Sequence, residues 1–251
     1  VRALLRPRWI ALVVVAVVAI ATMVLLGWWQ WQRHDGRAEA NAVVLERADL
    51  PAEDVAEVLP PGTPDGESSG VAYRTVTATG EFDVDGEVLV AYRTYGGAPG
   101  WWALTPLVLD DGSGVVVVNR GWIPLVEGDE RDTEQYAPPL GEVTVTGRLI
   151  EPAEGGGPAR PTGVADDELA WVDLDVLSAN IAAPLVPAII EQTGSEPSQP
   201  NDLPQPLEPP ELDGGPHLGY ALQWWAFAAV TLVVTIILLV KAVRSERHET
   251  R

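Results

Sequence analysis

Leu25-Leu-Gly-Trp-Trp-Gln-Trp-Gln-Arg33 sets three tryptophans, two glutamines and an arginine directly behind an uncharged run. That run, the 18 residues from Trp9 to Leu26, holds nothing more polar than Thr22. A second cluster in the same vocabulary, His217-Leu-Gly-Tyr-Ala-Leu-Gln-Trp-Trp225, opens another such run: the 23 residues from Leu218 to Val240 carry no charge. About 20 apolar residues cross a hydrocarbon core about 30 Å thick. Both runs therefore read as transmembrane helices, residues 9–29 and 217–240. A secretory signal is the rival reading of the first, because Arg2, Arg6 and Arg8 precede it and Ala19-Ile-Ala21 resembles a cleavage site. A signal's apolar region covers about 7–15 residues and ends at its small residues. Here Thr-Met-Val-Leu-Leu carries the apolar run onward past Ala21, which argues against cleavage.

The flanks set an expected orientation. Arginines precede the first span, and Lys241, Arg244, Arg247 and Arg251 follow the second; positive flanks stay in the cytoplasm. Residues 1–8 and 241–251 are then cytoplasmic in a two-span protein of the cell membrane. A domain of residues 30–195 and a tether of residues 196–216 lie outside. Between Gln30 and His217 stand 9 of the 16 basic residues and 34 of the 36 acidic ones, a formal charge of 9 − 34 = −25. Such a charge repels nucleic acid and anionic lipid, so no nucleic acid partner is expected. It serves either as a self-repelling soluble face or as a docking face for a basic partner such as a cytochrome c. With no cysteine there is no disulfide, no thiolate metal site and no lipoprotein anchor. With one methionine and three histidines besides, the chain is poorly equipped to carry copper(I), which relies on Cys and Met.

After Arg33 the pattern stays helical until Leu50-Pro51 stops it. Residues 60–70 are a Pro-, Gly-, Ser- and acid-rich connection. Alternation from Val71 to Phe82 predicts a strand, and Asp85-Gly86 predicts a two-residue hairpin to a second strand, Glu87 to Tyr95. Trp101 to Leu109, the turn Asp111-Gly-Ser-Gly114 and Val115 to Asn119 repeat that arrangement, so an antiparallel sheet is expected. Val143 to Ile150 is another strand and Ala170-Trp-Val-Asp173 a short one. Asp175 is the expected cap of a helical stretch, Val176 to Ala182, and Pro184 to Gln192 is the last strand. The fold class is thus a membrane protein of α+β type. Two transmembrane helices flank an extracytoplasmic β-rich domain, antiparallel and barrel- or sandwich-like, with short helices. Glu196 to Pro216 holds seven prolines in 21 residues and reads as an extended tether.

Catalytic motifs are absent: no G-x-S-x-G, G-x-x-x-x-G-K-[ST], H-E-x-x-H or G-x-G-x-x-G occurs. Asp83-Val-Asp-Gly86 lacks the remaining ligands of a calcium loop and reads as a turn. There is no C-x-x-C-H for covalent haem attachment. The chain is expected not to be an enzyme. What remains is the membrane edge, where the expected orientation brings both polar clusters to one depth. Pro216 suits the start of the second helix, since its missing N–H is no loss there. At 3.6 residues per turn His217, Tyr220, Ala221 and Trp224 share a face, with Gln223 and Trp225 flanking it. Interfacial anchoring alone explains tryptophans; glutamines and a histidine at the hydrocarbon edge more often face a partner or a cavity. A neutral imidazole can ligate iron through one ring nitrogen while a neighbour holds the other N–H. Indoles would flank a porphyrin, and Arg33 or Arg120 would pair with its propionates. The cofactor-binding set read this way is Trp29, Gln30, Arg33, His217, Tyr220, Gln223 and Trp224, with His217 on the iron. A merely hydrated interfacial histidine is the plainer alternative. His34 is either a second ligand or a solvated residue, and His248 falls in the cytoplasmic tail.

Gly27-Trp-Trp-Gln-Trp-Gln-Arg33 resembles the G-x-W-Q-x-x-R signature of the Surfeit locus protein 1 family of cytochrome c oxidase assembly factors. Gly80-Glu-Phe82, Gly100-Trp-Trp-Ala-Leu-Thr-Pro106, Val117-Val-Asn-Arg-Gly-Trp-Ile-Pro124 and Val145-Thr-Gly-Arg-Leu149 are similar to that family in order, and His217-Leu-Gly-Tyr-Ala-Leu-Gln-Trp224 is its other hallmark. The resemblance covers nearly the whole chain. It implies a two-span protein with an extracytoplasmic β-rich domain, acting in biogenesis of the haem–copper oxidase by assisting formation of the haem a and copper centre of the catalytic subunit. It also implies haem a as cofactor with His217 as the favoured ligand, and in some bacteria lasting attachment to the respiratory complex or supercomplex as an accessory subunit. The tract 51–70, the tether and the extra tryptophans at 28, 29 and 31 depart from the family pattern. Asn119-Arg120-Gly121-Trp122 is either a turn ending a strand or a partner contact.

Three classes of function compete. A haem-handling chaperone works through His217. An architectural subunit packs against oxidase helices through Gly219, Ala221 and Ala229, with Arg120 and Trp122 as further partner contacts and membrane lipid around it. A membrane sensor needs a separate signalling partner, because only 11 residues follow Val240.

Overall fold

A computed structural model of the chain describes residues 6–64, 67–125, 133–152, 159, 167–179, 181–210 and 212–249. Arg2 and Arg251 of the basic flanks lie outside the described residues. In chain order the helices and strands are α1 (Pro7–Ala48), β1 (Glu53–Asp54), α2 (Val55–Val58), β2 (Thr75–Phe82), β3 (Val88–Tyr95), β4 (Ala98–Leu109), β5 (Val115–Pro124), β6 (Glu142–Ile150), β7 (Glu168–Leu169), α3 (Leu174–Ser178), β8 (Leu185–Glu196) and α4 (His217–Glu249). They form two compact units, one of residues up to Val43 with those from Glu211 on, the other of Val44–Pro210.

The first unit is a pair of helices. Valine and isoleucine are middling helix formers in water, but in hydrocarbon the backbone must satisfy its own hydrogen bonds, which a helix does. The few hydroxyls follow the same rule: Thr22 donates to the Val18 carbonyl at 2.9 Å, Thr231 to Phe227 at 2.8 Å and Thr235 to Thr231 at 2.7 Å. Each helix is long and apolar enough to cross a membrane. At 1.5 Å per residue α1 is about 63 Å long, roughly twice the hydrocarbon core, so it runs well beyond any span. It ends just before Leu50-Pro51, as the sequence predicts.

The second unit is a mixed β domain. β2 pairs with β6, β6 with β8, β8 with β5, β5 with β4, and β4 back with β2. Five strands thus close into a small barrel, and β3 continues outward from β4. Alternate residues fill the interior: Val76 and Ala78, Leu107 and Leu109, Val116 and Val118, Val143 and Val145, Val186, Ala188 and Ile190. Each such side chain stabilises the fold by roughly 1.5–3 kcal/mol on burial. A second apolar layer, with Val90, Leu104, Val117, Leu169 and Leu177, covers the outside of β3, β4 and β5. β5 is therefore buried on both faces, which is why its sequence is the unbroken run Val115 to Val118.

Several expectations change. Asp85-Gly86 does not make a hairpin: Val84–Gly86 is a 3-10 turn, and β2 pairs with β4, Gly80 opposite Leu109. The first hairpin turn is instead Gly96-Gly97, both at positive φ, joining β3 to β4. The sheet is mixed where an antiparallel one is expected, because β5 and β8 run parallel, as do β1 with β2 and β3 with β7. Asp173, and not Asp175, caps α3, its carboxylate accepting from the N–H groups of Asp175 and Val176. The segment read as a tether is extended but docked. Trp122 N–H donates to the Gln205 carbonyl at 2.7 Å and Gln205 N–H returns to Trp122 at 2.8 Å.

Candidate functional site

The two helices meet along residues three, four or seven apart on each. Gly27 faces Trp225 so closely that a Cβ there would lie 2.3 Å from the indole Nε1. One step along, His217 Nδ1 and Gln30 Oε1 are 2.8 Å apart. Trp31 and Trp225 rings lie 6.1 Å apart at 32°, and His34 meets the edge of Trp31 at 6.2 Å. Ala221 is 0% exposed between them. Further in, Thr231 Oγ1 lies 3.9 Å from the Met23 sulfur. Further out, His34 Nδ1 is 3.4 Å from the Gly214 carbonyl and Asn41 donates to the Asp213 carbonyl at 3.1 Å.

The helix face that does this is 217, 221, 225 and 228, a progression in steps of four and three. The face read from the sequence is off by part of a turn. Of the expected cofactor set, His217 and Gln30 come together; Tyr220 and Gln223 are exposed, and Trp224 turns to the edge of Phe227. Arg33 lies over the Trp29 ring at 5.3 Å. Trp31 and Trp225, which lie outside the expected cofactor set although Trp225 was read as flanking the face, are the indoles that meet across the pair. The signal for Trp225 was its i+8 spacing from His217. Gly219 has open space around it, whereas Ala221 is covered by this pair and so is closed to another helix.

Because a glutamine carbonyl oxygen only accepts, the close contact makes His217 Nδ1 the protonated nitrogen. In a neutral ring Nε2 is then the nitrogen with the lone pair, and it has no hydrogen-bond partner among the described residues. A ring fixed through one nitrogen and open at the other is the donor arrangement of an axial haem ligand, so this residue fits an iron porphyrin. The described residues contain no cluster of three or more His, Cys, Asp or Glu able to hold a bare metal ion.

Arg120, expected as a propionate or partner contact, lies buried inside the barrel unit. It is 1% exposed. Its Nε donates to Thr105 Oγ1 at 2.7 Å and its Nη2 to Glu87 Oε2 at 2.6 Å, while Nη1 reaches Gln199 Oε1 at 3.5 Å. Burial pulls the guanidinium's pKa down and Glu87 pulls it back up. The cause is a bulge and not a turn: the β4–β5 register shifts at Ala103/Leu104, and Arg120 is the extra residue, directed to the Thr105 side. Gly121, at φ 134°, allows it, for a Cβ would lie 2.2 Å from the Gln205 carbonyl oxygen. Trp122 lies beneath the docked segment, its ring 5.6 Å from Tyr95. A partner could touch Arg120 or Trp122 only if that segment lifted.

Comparison with known proteins decides the family. The SURF1 family profile matches residues 17–229, the whole barrel and part of each long helix. The chain belongs to the SURF1 family. The SURF1 family is known as one of cytochrome oxidase assembly factors. Uncharacterized SURF1-like proteins of Mycobacterium tuberculosis and Mycobacterium bovis are each 28% identical over 256 residues, covering 98% of this chain and 89% of their own length. A SURF1-like protein of Monosiga brevicollis is 30% identical over 232 residues, 85% of this chain and 82% of its own. Gly27–Arg33 and His217–Trp225 are the segments that supply most of the helix-pair contact described above.

Proposed function

We propose that this SURF1 family member is a non-enzymatic biogenesis factor that handles haem a for the catalytic subunit of a haem–copper oxidase. The observation that carries this is the 2.8 Å contact between His217 Nδ1 and Gln30 Oε1, which leaves Nε2 to coordinate. Haem a, when bound, supplies an iron that accepts the imidazole and a flat apolar ring. Gln30 fixes the tautomer and the plane of the imidazole. Trp31 and Trp225 would offer the ring apolar flat surface, and Arg33, exposed beside Trp29, would pair with a propionate.

The orientation proposed is both ends of the chain cytoplasmic and the barrel outside, from the basic flanks Arg6 and Arg8 and Lys241 and Arg244. The test is purification of the full chain from cells with and without haem a synthesis, alongside His217→Ala, recording absorbance and the subunits that accompany it. Haem a carried by the wild type and lost in His217→Ala supports the reading. Equal haem in both discards the ligand. Stoichiometric oxidase subunits that ignore His217→Ala would instead make it an accessory subunit.

A further inference from the structure

Arg93 is a residue for which this function has no use. It lies on β3 immediately after a bulge, where pairing with β4 slips between Val90 and Arg93. Its guanidinium carbon sits 4.3 Å from the centre of the Trp102 ring. Other described arginines of the barrel unit end on oxygen: Arg47 on the carbonyls of Ser69 and Ala72, Arg74 on Glu53, Arg120 on Glu87, Arg148 on Glu191. Arg93 has no acceptor among the described residues, and its Nε is buried without one. Burial lowers its pKa, with no carboxylate acting against it. With 34 carboxylates between Gln30 and His217, an unpaired arginine is not explained by a shortage of partners.

Next to it stands Tyr92, held at φ 60° and 77% exposed. A bulky residue at positive φ is a true outlier, such strain collects at functional positions, and bulges re-aim side chains. On this side β3 pairs with β7 only at Leu89 and Val90, so its edge beyond Val90 has no strand partner among the described residues.

We infer that Tyr92 and Arg93 form a docking anchor for an acidic segment of a partner protein, with the Arg93 fork taking one carboxylate. Stacking on Trp102 already holds the guanidinium, so little side-chain freedom is lost on binding, and its terminal nitrogens match a carboxylate in bidentate geometry. Arginine and tyrosine are also the residue types that dominate binding hot spots. The rest of the domain repels an acidic partner; attraction confined to one spot fixes orientation more than it speeds capture. This inference is independent of haem binding.

The experiment uses the full chain in its native membrane with Tyr92→p-benzoylphenylalanine, irradiated and mapped by mass spectrometry. The expected result is one protein adduct whose crosslinked peptide contains Asp or Glu. Its yield should fall about fivefold or more in an Arg93→Glu background. Changing the mapped acid to Arg should restore it, and that rescue rules out unfolding as the cause. Should Arg93→Glu not fold, Arg93→Gln carries the same test. An adduct to lipid, no adduct, or a yield indifferent to residue 93 overturns the inference. An adduct to a protein outside the oxidase leaves the anchor standing and counts against the proposed function instead.

Discussion

Arg120 in the barrel and His217 in the helix pair are both polar groups set among apolar ones, and the chain treats them in opposite ways. Arg120 has an acceptor at each of its nitrogens and almost no exposure. His217 has one ring nitrogen held by Gln30 and the other left open. A buried charge is tolerable only when its network is complete, since each missing partner carries the full desolvation penalty. The haem-handling role proposed for His217 would need the reverse, one nitrogen held and the other available. The Arg120 network is complete within the barrel unit, whereas that of His217 is not complete among the described residues.

The largest effect that tests this contrast is Arg120→Met. It strands the Glu87 carboxylate, only 15% exposed in its side chain, and should cost about 3–5 kcal/mol of stability, read by chemical unfolding of the full chain in detergent. The double variant Arg120→Met/Glu87→Leu should recover most of the loss, because removing both charges leaves no orphan. A loss under about 1 kcal/mol for the single variant would remove Arg120 from the architectural role. His217→Ala, by contrast, should change stability by less than about 1 kcal/mol.

Gly27→Leu should come next. The Cβ would meet the Trp225 indole at 2.3 Å, and overpacking of this kind costs about 1–3 kcal/mol. The natural chain has no cysteine, so a Met23→Cys/Thr231→Cys pair reports helix contact cleanly. Its disulfide yield should be high with Gly27 in place and fall sharply in the Gly27→Leu background; equal yields would mean that the indole can move aside. Gln30→Leu acts more gently, on orientation alone. It should weaken haem a binding about 10–100-fold while leaving that disulfide intact, whereas loss of both would make Gln30 a packing residue.

These sites differ in how far the sequence discloses them. Runs without charge announce α1 and α4, and alternation announces most barrel strands, because burial on one face leaves a period in the sequence. Barrel closure leaves no such mark: Gly80 pairs with Leu109, and nothing near Asp85-Gly86 says that β2 passes over its sequence neighbour. Asn119-Arg-Gly121 reads equally as a turn or a bulge, since both need a glycine, and arginine is ordinarily exposed, so the inward Arg120 is hidden. His217 and Gln30 are conspicuous by residue type. Which tryptophan joins them depends on the phase of α4 against Gly27, a quantity set by packing.

The smallest effect concerns how the docked segment is held, and it sets a third polar group between the two extremes. Tyr95 donates to Glu208 Oε1 at 3.2 Å and accepts from Gln205 Nε2 at 3.1 Å. Desolvation first, and then the Glu208 charge and hydrogen bond, raise the phenol's pKa, with Gln205 opposing. The folded chain thus keeps this proton to higher pH than the unfolded chain, whose tyrosines titrate near about 10. The contribution to stability is complete below that value and is lost as pH rises through the raised folded pKa. Tyrosinate absorbance, with Tyr95→Phe as the assignment, should show Tyr95 ionising above the ordinary tyrosine value, and Glu208→Gln should bring it down. If Tyr95 ionises at the ordinary tyrosine value, the Glu208 contact does not form in solution. Arg120 and Gln199 would then hold the segment without it, and lifting the segment to expose Trp122 would be easier than the geometry implies.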